Sequence, residues 1–193
     1  NTAIGRGAMI GVAGSKGVSH NVAVGYYAGG VMDSAKRNVF IGSNAGRYNQ
    51  SDENTFVGYQ SGYGAFGNYT GLENTGLGTL TLFALSGGKS NTAAGMGVLF
   101  NNTTGNGNVG VGTRSLVNNT TGSYNVSLGD SAMYSNNGSN NIAMGYRALI
   151  TNGTGTSNMG IGHLANVSAT NLTNAAAIGA NAYVAQSNSM VLG

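Results

Sequence analysis

Few side chains in this sequence have the chemistry to move a proton or hold a metal ion. The acids are Asp33, Asp52, Glu53, Glu73 and Asp130, the histidines are His20 and His163, and cysteine is absent. Acid/base catalysis needs titratable groups that converge on one reacting atom. Only Asp52 and Glu53 are adjacent, and neighbours on an extended strand point to opposite faces, so they are expected to diverge. Without cysteine there is no disulfide framework, thiolate zinc site or thiol nucleophile. Glycine strings such as Gly105-Asn106-Gly107 and Gly110-Val111-Gly112 lack the Lys-Ser/Thr and the following helix of a phosphate loop. Calcium-binding β-roll repeats need aspartate at a fixed period, and only Asp130 offers itself. The expectation is no catalytic residue, no metal, no cofactor, and hence no enzyme.

Composition points the same way. Charged residues make up 7% of the 193, against about 25% in ordinary soluble domains. The 35 glycines come without proline and without a three-residue period, which excludes a collagen helix. A 40% hydrophobic content at low charge is the reverse of a disordered chain. The net charge of +3 is spread over scattered Lys and Arg, with only Lys36 and Arg37 adjacent, so no nucleic-acid stripe is expected. No apolar run approaches the roughly 18 residues of a membrane span, and no membrane insertion is expected within this segment.

What the scarce chemistry leaves is repetition. A pentad running from Asn to Gly opens at Asn1, Asn21, Asn38, Asn54, Asn74, Asn91, Asn108, Asn125, Asn141 and Asn158. It closes at Gly5, Gly25, Gly42, Gly58, Gly78, Gly95, Gly112, Gly129, Gly145 and Gly162. Two variants end at Gly179 and Gly193, and the steps between these glycines run from 14 to 20 residues, most of them 16 or 17. The first and third residues after the Asn are Thr, Val, Ile, Leu or Met in most units, with a small or variable residue between. This alternation predicts a short half-buried strand with those two positions turned inward. Three residues beyond the Gly a small side chain returns (Ala28, Ala45, Ser61, Ser115, Ala132, Ala148), often followed by Leu or Met. That predicts a second short strand turned back over the first. Asn-Asn-Thr-Thr-Gly at 101–105 and 118–122 reads as a corner, since Asn and Gly accept positive φ cheaply.

A 17-residue unit of two strands and two corners suits one coil of a parallel β-solenoid. The predicted fold is all-β, a solenoid of about twelve coils of 14–20 residues forming one repeat domain over 1–193. Because the sequence opens inside a repeating unit, it is expected to be a fragment of a longer chain. Coils stacked about 4.8 Å apart set Asn above Asn in an amide ladder. The glycine ladder follows from positive φ or from a close approach that excludes a Cβ. The core is thin for the length of chain it must order, which predicts a second apolar face shared with identical chains, most simply three of them.

The units Asn188-Ser189-Met190-Val191-Leu192-Gly193 and Asn140-Asn141-Ile142-Ala143-Met144-Gly145 resemble the head repeats of trimeric autotransporter adhesins of the YadA type, whose motif is Asn-Ser-Val-Ala-Ile-Gly. Similar Asn-Thr-Ala-Val-Gly repeats occur in tail-fibre-like proteins and long surface filaments. The resemblance covers the whole chain and implies a left-handed β-roll, a homotrimer and attachment to cells or matrix. Most units here are longer than the family's coil.

The functional expectation is a non-enzymatic, extracellular structural and adhesive fibre segment on a bacterial surface, its partners being identical chains and a surface ligand. The alternative is a phage or injection-system tail-fibre shaft that serves host recognition. An ice-binding solenoid is less favoured, because the Thr of Thr2, Thr55, Thr75 and Thr92 gives way to Val, Ile or Met in other coils, which fits an inward position better. Two units carry three extra residues, within 6–20 and 59–73. Lys16, Tyr63, Phe66 and Tyr69 on these insertions are the candidate contact surface. Tyr63 and Tyr69, like Tyr26, Tyr27, Tyr59 and Tyr146, are aromatics near strand ends or loops, suited to anchoring an interface or stacking on sugars, or else to capping the core or a subunit interface.

Overall fold

In the pentads, β-branched and aliphatic residues flank a small centre and a glycine ends the extended run, so each strand is short. The computed structural model describes residues 1–11, 17–64 and 69–193; Lys16 and Phe66 lie outside the described residues. The first strands are β1 (Thr2–Ile4), β2 (Val22–Val24), β3 (Val39–Ile41), β4 (Thr55–Val57) and β5 (Thr75–Leu77). They continue as β6 (Thr92–Ala94), β7 (Val109–Val111), β8 (Val126–Leu128), β9 (Ile142–Met144) and β10 (Met159–Ile161). The last are β11 (Asn166–Val167), β12 (Ala176–Ile178), β13 (Tyr183–Val184) and β14 (Met190–Leu192).

All but β11 and β13 form one twelve-stranded parallel sheet in chain order, and those two pair with each other. The pentads stack in register: Val109 lies over Val126, Gly110 over Ser127 and Val111 over Leu128. The chain is therefore an all-β parallel β-solenoid of about eleven turns.

The phase of the strands is opposite to the expectation. From β2 to β10, and in β12, the buried residue is the central one: Ala23, Phe40, Phe56, Gly76, Ala93, Gly110, Ser127, Ala143, Gly160 and Ala177. The flanking aliphatic residues face out, with Ile41 39%, Leu77 45% and Val111 41% exposed. The reason is the width of the coil. A Cβ on Gly110 would stand 2.5 Å from Val98 Cγ1, and one on Gly160 2.7 Å from Leu149 Cγ. The opposite wall is so near that only small centres fit, unless the wall itself recedes.

It recedes at two coils. Phe40 and Phe56 are fully buried, with rings stacked at 5.8 Å and 11°. Four residues after the pentad glycine, where other coils place Leu82, Leu99, Leu116, Met133 and Leu149, these two coils have Gly46 and Gly62. A Cβ at Gly46 would run into the Phe40 ring, and one at Gly62 into that of Phe56. At these two positions a coil carries a large side chain on one wall or the other, not on both.

Among the described residues, the return segment forms a regular strand pair only in β11 and β13. Elsewhere the expected second strand is a succession of turns. Ser115 and Leu116, Ala132 and Met133, and Ala148 and Leu149 are sequence neighbours that are both fully buried. An extended strand would send one of each pair outward. Here Leu116, Met133 and Leu149 adopt φ of 54°, 47° and 49°, and this left-handed setting turns two consecutive side chains to the same side. Coils still bond to one another through these turns, as in Leu99 N–H to the Ser115 carbonyl at 3.1 Å and Leu116 N–H to Ala132 at 3.1 Å.

Candidate functional site

The most ordered polar feature is an asparagine column inside the corner. The backbone N–H and Nδ2 of Asn108 both donate to Asn91 Oδ1, at 2.9 and 3.1 Å, and Nδ2 also donates to the Gly122 carbonyl at 2.8 Å. In turn Asn108 Oδ1 accepts from Asn125 N–H and Nδ2, both at 3.0 Å. Backbone-to-Oδ1 steps of this kind link Asn1, Asn21, Asn38, Asn54, Asn74, Asn91, Asn108, Asn125, Asn141 and Asn158, and the column ends on the Ala175 N–H. Buried amides carry no net charge and satisfy one another, so the column positions the backbone and offers no reactive group.

A second asparagine column was not foreseen. Asn119 Nδ2 donates to Asn102 Oδ1 at 3.0 Å, Asn136 Nδ2 to Asn119 Oδ1 at 3.2 Å and Asn152 Nδ2 to Asn136 Oδ1 at 2.6 Å. The two columns meet at corner glycines: the Gly122 carbonyl accepts from both Asn108 and Asn119, and Gly138 from both Asn125 and Asn136. The signal lay in the sequence, since these asparagines all stand seven residues after a pentad glycine.

The pentad glycines answer to both causes at once. Gly5, Gly25, Gly42, Gly58, Gly78, Gly95, Gly112, Gly129, Gly145, Gly162 and Gly179 have φ between 117° and 144°. A Cβ on Gly25 would also lie 2.6 Å from the Gly42 carbonyl oxygen. Gly193 lies against Ala182.

Of the candidate contact residues, Tyr69 is a correction: it is 2% exposed and belongs to the core. Its ring lies over Gly64, whose added Cβ would be 2.5 Å away. Among the described residues its hydroxyl has no hydrogen-bond partner, and burial pushes the phenol pKa well above 10. Tyr63 is half-buried in an aromatic column, edge-on to Tyr48 at 5.1 Å and stacked on Phe83 at 5.1 Å, with Phe83 on Phe100 at 4.9 Å. A hydrogen bond with Tyr48, then partial burial, raises the Tyr63 pKa. Tyr26, Tyr59 and Tyr146 are exposed, each directly after a pentad glycine. The Arg47 guanidinium covers the Tyr27 ring at 4.7 Å.

The acidic pair also departs from expectation. Asp52 and Glu53 converge on Arg37, whose Nη2 is 3.5 Å from Asp52 Oδ2 and 2.6 Å from Glu53 Oε1. They sit in a corner, where Glu53 has φ of 64° and strand alternation does not apply. Among the described residues no cluster of His, Asp or Glu is placed to hold a metal ion.

The outward face of the large sheet is the other extended feature. It carries two side-chain columns, one mixed (Val109, Val126, Ile142) and one aliphatic (Val111, Leu128, Met144) in the same coils. Because the Thr column faces outward, the reason for disfavouring an ice-binding face is corrected. What now counts against that face is its partner column, Ile4 to Leu192, where no Thr occurs.

These features define a β-solenoid repeat protein. No known family model matches the chain, and no curated protein or solved structure matches it.

Proposed function

We propose that this chain is a non-enzymatic structural and adhesive segment of an extracellular homo-oligomeric fibre at a bacterial surface. The observation that carries the reading is the outward aliphatic face. Twelve parallel strands at about 4.8 Å spacing make a stripe on the order of 53 Å long and about 10 Å wide. Its projected area of roughly 500 Å2 is at the upper end of what a monomer leaves exposed. With flanking columns it approaches the roughly 800 Å2 that each partner buries in a standard interface. A regular stripe is complementary to itself, so identical chains are the natural occupants, three of them in the arrangement that the adhesin resemblance implies. A stiff assembled shaft then serves attachment through many copies of one weak contact.

Sedimentation equilibrium of the purified chain tests the assembly. The expected result is a homo-oligomer that becomes monomeric in the V111E/L128E double variant, with the β circular dichroism retained. A well-folded wild-type monomer at micromolar concentration sinks the shared-face reading. Antibody labelling of intact source cells tests the location, and label that appears only after lysis contradicts it.

A further inference from the structure

From Gly25 onward, the position two residues after the pentad glycine forms an outer column of side chains: Tyr27, Asn44, Gln60, Leu80, Arg114, Ser131, Arg147, Leu164 and Asn181. All nine adopt positive φ, Leu80 and Leu164 at 58° and 57°. One rung between β5 and β10 has no side chain, Gly97, at φ 64°. Crowding does not explain this glycine, since an added Cβ would meet nothing within 4 Å. The left-handed backbone favours glycine here without requiring it, because Leu80 and Arg114 hold the same setting in the adjacent coils at φ of 58° and 55°. The missing side chain opens a groove of about 440 Å3 walled by Leu80, Met96, Phe100, Arg114, Val117 and Tyr134. Such a volume lies within the roughly 300–1,000 Å3 of ligand pockets.

The walls define the ligand. Phe100 is the last ring of the stacked aromatic run, Val117 interrupts that column, and Tyr134 resumes it on the far side. Aromatic and aliphatic surfaces of this kind receive the C–H face of a sugar ring. Arg114 is exposed, and among the described residues no carboxylate pairs with its guanidinium. No acid lines the groove, so one cation faces an apolar cleft. A guanidinium fork binds a carboxylate through paired, charge-assisted hydrogen bonds. We propose that the groove at Gly97 binds a carboxylate-bearing sugar ring of the uronate or sialate class, the ring against Phe100 and Tyr134 and the carboxylate on Arg114. This site deepens the attachment reading, on which its biological role rests, by giving one coil a ligand.

The test titrates the purified, isotope-labelled chain with sodium glucuronate, N-acetylneuraminate, glucose and benzoate, following amide shifts by NMR. The expected result is millimolar binding of the sugar acids, as befits one small shallow contact, centred on Gly97, Arg114 and Tyr134, with glucose far weaker. R114Q should weaken the acids about tenfold or more, the loss of a charge-assisted pair. G97L should abolish binding with the β circular dichroism retained and the unfolding temperature lowered only slightly by the left-handed setting; if that variant misfolds, G97N takes its place, since Asn44 and Asn181 occupy the same column. Undiminished binding in the filled-groove variant, no shifts with either sugar acid, or tighter binding of benzoate overturns the assignment. A changed oligomeric state in R114Q or G97L does so too, since the groove would then be a subunit contact. Failure here leaves the shared-face reading intact, because that stands or falls on sedimentation and surface labelling.

Discussion

Replacing Phe56 by alanine and Gly62 by leucine probes how the core is filled. Phe56 is fully buried and stacked on Phe40. Truncation to alanine leaves a ring-sized void and should cost about 3–5 kcal/mol. Gly62→Leu alone places a branched side chain where even a Cβ overlaps the Phe56 ring. Overpacking of this kind costs about 1–3 kcal/mol or more. The backbone accepts the leucine, since Gly62 has φ of 56° and Leu82 and Leu99 sit at 51° and 52° in the equivalent position. Together the substitutions recreate the Ala143 and Leu149 combination, both of which are fully buried. The double variant should therefore lie within about 1.5 kcal/mol of wild type, giving a coupling of at least about 2.5 kcal/mol between the sites. Urea unfolding followed by circular dichroism, at one fixed protein concentration, supplies the four free energies. Losses that add to within about 0.5 kcal/mol would show that the two walls do not share one filling volume.

Further outcomes follow from the polar groups. Asn108→Ala should destabilise by about 3 kcal/mol, because the Asn125 N–H loses its sole acceptor while the Gly122 carbonyl keeps Asn119 and Asn91 Oδ1 keeps the backbone donor. Asn118→Ala, which removes one partly buried amide contact with Asn101, should cost under about 1 kcal/mol in the same unfolding series. Tyr69→Phe should leave stability at neutral pH unchanged or improved, since it deletes a buried hydroxyl without a partner among the described residues. The folded pKa of Tyr69 is raised above its unfolded value near 10, so the unfolded chain releases this proton first and stability falls as pH climbs past about 10. Urea midpoints from about pH 8 to 11 should fall less steeply in the phenylalanine variant, and parallel slopes would contradict this assignment.

The stacking was legible because it depends on spacing, which a sequence displays directly. Asn108, Gly112, Asn125 and Gly129 declare the register, and β7 and β8 pair as that register requires. Inside and outside were not legible, because alternation fixes which residues share a face without saying which face is covered. Val109 and Val111 look like core residues by type, yet the width of the coil admits only Gly110 between them. The aromatic insertion misled for a related reason: Tyr69 has the composition of a surface anchor, and only the fold shows that Gly64 leaves room for its ring. The column from Asn102 to Asn152 was missed because Asn-Thr-Gly corners explain themselves locally as turns, which hides their contacts one coil away.

The left-handed residues explain why such a short unit is stable only in a stack. In the coil after β7, Arg114, Leu116 and Tyr124 have φ of 55°, 54° and 58°, a setting that costs a side-chain-bearing residue about 1–2 kcal/mol. The N–H of each bonds outside its own coil: Arg114 to Met96 and Tyr124 to Asn106 in the preceding coil, Leu116 to Ala132 in the following one. The same setting brings Leu116 inward beside Ser115 and so supplies the large side chain that the small strand centre Gly110 or Ser127 cannot. Backbone strain and core filling are thus one device, and the N–H groups of these residues are satisfied by the coils above and below. A solenoid built this way is quasi-one-dimensional, with each turn stabilised by two neighbours. The aliphatic face of the sheet lies outside that economy. Its side chains, half-buried or exposed along the sheet, fill no coil interior, and the aliphatic column from Ile4 to Leu192 is the surface that the proposed packing against an identical chain would use.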